Sequence, residues 1–194
     1  MKDKILMIIF VLVLGSILTT ALVAVNYYTT PVIEKNEEIS IKSSILRALN
    51  IPFNRDSVEQ VFAGNVTEKR QDGTTYYVAG DGDIAFSYSG SGLWGPIEGV
   101  IAIQPDFETL EGITVIRQEE TPGLGSRITE PQYLAQFKGK RITNGLVLVQ
   151  PGRSSGDNEV DSITGATMTS DAFIHILNEN LGQAVPEIRE GESR

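Results

Sequence analysis

The chain opens on an uninterrupted apolar run. From Ile5 to Val25 it reads ILMIIFVLVLGSILTTALVAV, 21 residues without a charge. Wound as an α-helix this stretch is about 31 Å long, the thickness of a bilayer's hydrocarbon core. A cleaved leader carries a shorter apolar region, roughly 7–15 residues, ending at a small-x-small site. Here the nearest such triplet, Thr19-Thr20-Ala21, runs on into the apolar Leu22 to Val25. The pattern therefore predicts a retained spanning helix. Lys2 and Lys4 precede it, and the next basic residue beyond it is Lys35. By the positive-inside rule this predicts a single-pass chain with a cytoplasmic N-terminus and everything after Asn26 outside.

Past the span the pattern changes twice. Asn26 to Pro31 (NYYTTP) reads as an interfacial exit, with Pro31 opening a second helix over 32–49. Ile41, Ile45 and Leu49 give that helix one apolar stripe, and Asn50-Ile51-Pro52 stops it. Short β runs follow at 58–69, 74–79, 84–89, 99–104, 113–118 and 147–150, punctuated by turns at Gln71-Asp72-Gly73 and Asp81-Gly82-Asp83. Two helices are predicted among them, 130–137 and 170–181. The second has Phe173, Ile176, Leu177 and Leu181 on one face and Gly182 at its end. The fold class is α+β: a single N-terminal transmembrane helix, then a largely antiparallel sheet with a few helices. The predicted segments are 1–28 (cytoplasmic N-terminus and span), 29–57 (helical linker), 58–185 (the sheet domain) and 186–194 (a mobile polar tail).

Composition narrows the chemistry. The chain has no cysteine, which excludes disulfides, thiolate metal sites and cysteine nucleophiles. Its one histidine, His175, excludes a multi-His metal site and reads as a surface or packing residue of the last helix. A net charge of −9 argues against nucleic-acid binding. What is left is hydroxyls, carboxylates, a few cations, or a borrowed cofactor.

Three loops carry candidate chemistry. Gly90-x-Gly92-x-x-Gly95 matches a dinucleotide fingerprint as a string, but a strand-like run follows it instead of the helix that a phosphate site needs. The loop is read instead as a turn bearing an exposed Trp94, free to stack on a flat ligand. Glu120-Thr121-Pro122-Gly123-Leu124-Gly125 is a second such loop. Glu119 and Glu120 there form either a paired-carboxylate site or, more simply, a solvated strand end. Asp161-Ser162-Ile163-Thr164-Gly165-Ala166-Thr167 leads straight into the final helix. It reads equally as a turn with Thr169 or Ser170 as cap, or as a threonine placed to hold a phosphate against free backbone N–H groups.

Together, Gly92-Leu93-Trp94-Gly95-Pro96-Ile97, Glu120 to Gly125 and Asp161 to Thr167 resemble, in order and spacing, the covalent-FMN-binding domain family of electron-transport proteins. That family includes the G subunit of the Rnf complex and the C subunit of the sodium-pumping NADH:quinone oxidoreductase. The resemblance covers essentially the whole chain, its single span included. The last motif is similar to the sequence at which a flavin transferase moves FMN from FAD onto a threonine. The resemblance implies that 58–185 is an FMN-binding domain and that Thr167 is the acceptor, through a phosphoester. Thr164, Gly165 and Ala166 would shape the acceptor turn, and Asp161 would help the transferase recognise the site or hold its metal. Trp94, Thr121 and Leu124 are the implied contacts of the isoalloxazine ring. No side chain is needed as a catalytic acid or base. The compact chain favours the Rnf G subunit, relaying electrons in an ion-translocating ferredoxin:NAD oxidoreductase beside its other membrane and peripheral subunits. The alternatives are a component like the C subunit of the sodium pump, a free-standing extracytoplasmic flavoprotein, or a non-redox scaffold in which all three motifs are turns.

Overall fold

The computed structural model describes residues 2–71 and 73–192, so Met1, the centre of the predicted Gln71-Asp72-Gly73 turn and the last two residues of the predicted tail lie outside it. Two units, residues 1–39 and 40–194, divide the chain. Helix α1 runs Lys2–Ala48. Its apolar N-terminal stretch is long and apolar enough to cross a membrane, with the side chains of Ile5 to Val25 exposed. The second helix expected to open at Pro31 is not separate, because α1 continues through that residue. The hydroxyls of Thr29 and Thr30, just before the proline, donate to the carbonyls of Val25 and Asn26 one turn back. The helix stops where its sequence predicts. Asn50 takes a left-handed φ of 54°, its N–H bonds to the Arg47 carbonyl, and the Ile51 N–H reaches back to Leu46. This paired closure satisfies carbonyls that the helix end would otherwise leave open.

Five antiparallel strands, β1 (Val66–Gln71), β2 (Thr74–Ala79), β3 (Ile84–Ser91), β4 (Pro96–Ile103) and β5 (Leu110–Arg117), form a meander in sequence order. The first β run predicted, 58–69, is corrected. Residues Val58–Asn65 are helix α2, and pairing starts only at Val66. The strand ends differ from expectation by a few residues elsewhere, most at β4 and β5, which each begin three residues early, at Pro96 and Leu110. After β5 come 3-10 turns at Gly125–Thr129 and Ala135–Phe137 flanking helix α3 (Pro131–Leu134). A separate parallel pair joins β6 (Val147–Val149) to β7 (Glu159–Asp161).

Both faces of the sheet are covered, which is why β4 is a continuous buried run from Gly99 to Ile103. On one face Ile101 and Ile103 pack with Phe86, Phe137, Phe173 and Leu177. On the other, alternation turns Val100 and Ala102 toward the end of α1. There the Thr114 hydroxyl donates to the Ser44 carbonyl, and the Ala48 carbonyl lies against Gly112.

Helix α4 (Thr167–Glu192) covers the first face. Phe173 and Leu177 are fully buried on it; side chains of this size are worth about 1.5–3 kcal/mol each on burial. The expected end at Gly182 and the expected mobile tail from residue 186 are both overturned. Ala184 and Ile188 prolong the buried stripe past Pro186. At the far end the Glu192 carboxylate accepts hydrogen bonds from Lys69 (2.8 Å) and the Tyr76 hydroxyl (2.9 Å). Burial and that carboxylate push the Tyr76 phenol up to about 12.

Asp83, in the β2–β3 turn, has a carboxyl raised to about 6, first by burial and then by the neighbouring charges of Asp81 and Glu111, against which Lys138 pulls. The folded chain therefore binds a proton more tightly there than the unfolded chain. Between about pH 4 and 6 it carries the larger share of protons, and stability is lost as the pH rises through that window. Asp83→Asn removes this loss. The variant's Tm in detergent is expected to match wild type near pH 4 and exceed it by a few degrees, roughly 2–5 °C, at pH 7. A difference that does not grow with pH would contradict the assignment.

Candidate functional site

Two of the loops singled out in the sequence, and the first turn of the helix into which the third leads, meet at one side chain, Glu120. The first is the β3–β4 hairpin loop, Gly92 to Gly95, closed by a 2.8 Å bond from the Gly92 N–H to the Gly95 carbonyl. The second follows β5 and turns at Thr121 to Gly125, where the Thr121 carbonyl accepts from the N–H groups of Leu124 and Ser126. The third is the turn before α4. Glu120 is 4% exposed. Its Oε1 accepts the backbone N–H groups of Leu93 (2.8 Å) and Trp94 (3.1 Å), and its Oε2 accepts the Thr169 hydroxyl at 2.8 Å.

Glycine makes this approach possible. A Cβ on Gly92 would stand 2.5 Å from Glu120 Oε1, and one on Gly125 would stand 2.7 Å from the Thr169 hydroxyl. Glu119 and Glu120 do not act as a pair. Glu119 is exposed and bonds Arg117 at 2.9 Å, while Glu120 points inward. Glu120 is no solvated strand end, so that simpler expectation fails as well.

The Thr164 to Thr167 turn is shaped by Gly165, whose φ of +82° disfavours any side chain. The Ala166 N–H closes the turn on the Ile163 carbonyl, and the Ala166 carbonyl accepts the first helical bond, from the Ser170 N–H. Thr167 is thus the first residue of α4, exposed, one residue after buried Ala166. The N–H groups of the helix's first turn have no intrahelical acceptor, and they stand at the positive end of its dipole.

Neither expected cap serves as one. Thr169 is committed to Glu120, while Ser170 accepts the Ile163 N–H and donates to the Ala166 carbonyl. Leu124 lies 3.4 Å from where a Cβ on Gly165 would sit. Thr164 and Thr121 are exposed in their turns. Trp94 is 71% exposed, Met168 68% and Leu124 45%, an unusual amount of apolar surface on loops joined through one carboxylate.

Asp161 makes its bonds elsewhere. It ends β7, and its Oδ1 accepts the N–H groups of Ser154 and Arg153. Those bonds, the Ser154 amide foremost, hold its carboxyl below the usual range. Its visible work is shaping the turn after β6. Among the described residues no group of three His, Asp or Glu side chains is arranged to hold a metal ion. His175 is exposed on α4. Sequence reasoning missed the roles of Glu120 and Thr169; both residues stood within the quoted segments or just beyond them, but nothing in their spacing announced a bond across 49 positions.

Comparison with known proteins follows the same segments. Residues 92–182 match the FMN-binding domain family. The chain is homologous to the C subunit of the Na(+)-translocating NADH-quinone reductase. It is 35% identical over 105 residues to that of Pasteurella multocida, covering 52% of this chain and 40% of the relative. With that of Neisseria meningitidis serogroup A it shares 38% over 118 residues, covering 54% and 46%. The chain thus spans less than half the length of these curated relatives. Two crystal structures share the fold. NqrC of Shewanella oneidensis superposes with a TM-score of 0.67 at 22% identity, over 77% of this chain and 93% of that one. The C subunit of the Na(+)-translocating NADH-quinone reductase from Parabacteroides distasonis gives 0.68 at 28% identity, over 76% and 90%.

The close packing around Glu120 is testable by adding one methyl group. Gly92→Ala is expected to cost about 1–3 kcal/mol, the usual penalty of overpacking. Gly64→Ala, in α2 with open space around it, should gain up to about 1 kcal/mol. Urea unfolding of the full chain in detergent measures both. A neutral Gly92→Ala would mean the loop is not held against the carboxylate.

Proposed function

We infer that this chain is a membrane-anchored flavoprotein that holds FMN as a phosphoester on Thr167 and relays electrons as one subunit of an ion-translocating oxidoreductase complex. The observation that carries the reading is the placement of Thr167. Its exposed hydroxyl begins a 26-residue helix, directly after the turn made by a left-handed glycine, within the stretch that matches the FMN-binding family.

The residues present fit the group. A phosphate on the Thr167 oxygen meets the unpaired N–H groups of the first turn of α4 and the favourable end of the helix dipole. Thr164, Gly165 and Ala166 hold the hydroxyl outward, and Leu124, packed at Gly165, offers an apolar wall. Trp94, Thr121 and Met168 supply further exposed surface for a flat ring, Trp94 by stacking. When bound, FMN supplies the one- and two-electron chemistry, and the protein's part is to place it and tune it. Attachment through the phosphate leaves the ring free of covalent change. The apolar stretch of α1 anchors the protein in the inner (plasma) membrane, and Lys2 and Lys4 favour a cytoplasmic N-terminus with the flavin domain outside. A flavin transferase is the partner implied for maturation, with Asp161 acting through the turn it shapes.

Two complexes suit such a protein. The relatives named above support a place like that of the C subunit in a sodium-translocating NADH:quinone oxidoreductase at least as well as one like that of the G subunit in an Rnf ferredoxin:NAD oxidoreductase. In either case the other membrane and peripheral subunits are its partners, and their identity on co-purification separates the two.

The test is an intact mass with in-gel flavin fluorescence, after co-expression with a flavin transferase. Wild type and Thr164→Ala are expected to gain the mass of FMN less one water and to fluoresce after denaturation. Thr167→Ala is expected to do neither. Unmodified wild type, or a labelled Thr167→Ala, would overturn the assignment.

A further inference from the structure

We propose that Glu120 is the positioning residue of this site, clamping the Trp94 loop to the first turn of α4 so that the ring-facing loop and the acceptor threonine keep one fixed spacing. The proposal deepens the flavin reading above and rests on it for its second measurement only. Its basis is the set of three bonds. One carboxylate oxygen holds two successive amides of the hairpin loop, Leu93 and Trp94, and the other holds the hydroxyl of Thr169. These partners are 27, 26 and 49 residues away in sequence. The loop is otherwise pinned by its own short turn, Gly92 to Gly95, and its tip is exposed. Thr169 lies two residues beyond Thr167, so a displacement of the loop relative to Thr169 is a displacement relative to the acceptor.

The chemistry of the side chain predicts which substitutions are tolerated. Glutamine keeps an oxygen for the two amides, and its NH2 can donate to the Thr169 oxygen, so Glu120→Gln preserves the clamp without the charge. Alanine removes all three bonds. Aspartate keeps the charge but is one methylene too short to span both sides.

Trp94 is the chain's one tryptophan, so its emission reports the loop directly. In the full chain without flavin, in detergent, Glu120→Ala is expected to lower the Trp94 anisotropy roughly twofold, as a held loop becomes a mobile one. Glu120→Gln stays near wild type. In the flavin-loaded chain, flavin emission per covalently bound FMN is expected to rise about twofold in Glu120→Ala as the indole leaves the ring, again with rescue by glutamine. Should the alanine variant fail to fold by circular dichroism, Glu120→Asp takes its place with the same expectation. Wild-type anisotropy in a folded alanine or aspartate variant, or a glutamine variant as mobile as alanine, overturns the proposal. Wild type that takes up no flavin counts against the flavin reading, while the anisotropy measurement still decides the clamp.

Discussion

A carboxylate taken out of water and held by three neutral donors organises the end of the sheet domain where the loops meet. Burial of such a charge costs several kcal/mol. Hydrogen bonds to charged groups return about 1.5–3 kcal/mol each, so the three bonds to Glu120 roughly offset that cost. The side chain therefore contributes little net stability. Its contribution is geometric: a hairpin loop, a Gly/Pro turn and a helix start, which come from different parts of the chain, are fixed to one point. One glycine in each of the first two loops follows from this, since Gly92 and Gly125 lie where any Cβ would strike Glu120 or its partner Thr169.

The sheet beneath makes the arrangement stiff. With α4 on one face and the end of α1 on the other, the inner strand β4 is buried from both sides. Its hairpin loop with β3 is thus carried on a rigid base, and β5 delivers Glu120 just beyond its own last residue, Arg117. A second buried carboxylate, Glu111, does comparable work at the other end of β5. Burial alone would raise its pKa, but bonds from Lys138, Asn50 and Gln104 bring it below the ordinary value. Through Asn50 it ties the left-handed closure of α1 to the sheet.

Much of this is legible in the sequence, and what is not has physical causes. The long apolar helix, the stop at Asn50, strand β2 to the residue and the buried stripe of Phe173, Leu177 and Leu181 all follow from period and punctuation. Val58–Asn65 reads as a strand because an eight-residue helix with two valines and a phenylalanine offers little periodicity and good β propensity. Pro31, Gly182 and Pro186 read as breaks, yet α1 and α4 run through them. In α4 tertiary packing is the reason: at Ile188 and Glu192 the helix gains more from the sheet than the proline and glycine cost it. At the site, the three motifs mark the loops correctly, and Thr167 begins α4 with its hydroxyl exposed. The convergence on Glu120 is not legible, because an inward-pointing acid and its outward neighbour Glu119 are the same letter.

The attachment of α4 at both of its ends bears on what closing the fold costs. The meander strands pair with their neighbours in sequence and close by short loops, which is fast. Helix α4 makes the long-range closures: Glu192 meets Lys69 and Tyr76 across 123 and 116 residues, and Thr169 meets Glu120 across 49. These closures carry a larger entropy cost than the hairpins of the meander. Without α4 in place, Thr169 has no carboxylate to donate to and Glu120 loses one of its three donors. The first turn of α4 is in that sense the place where parts of the chain far apart in sequence are brought to a common register.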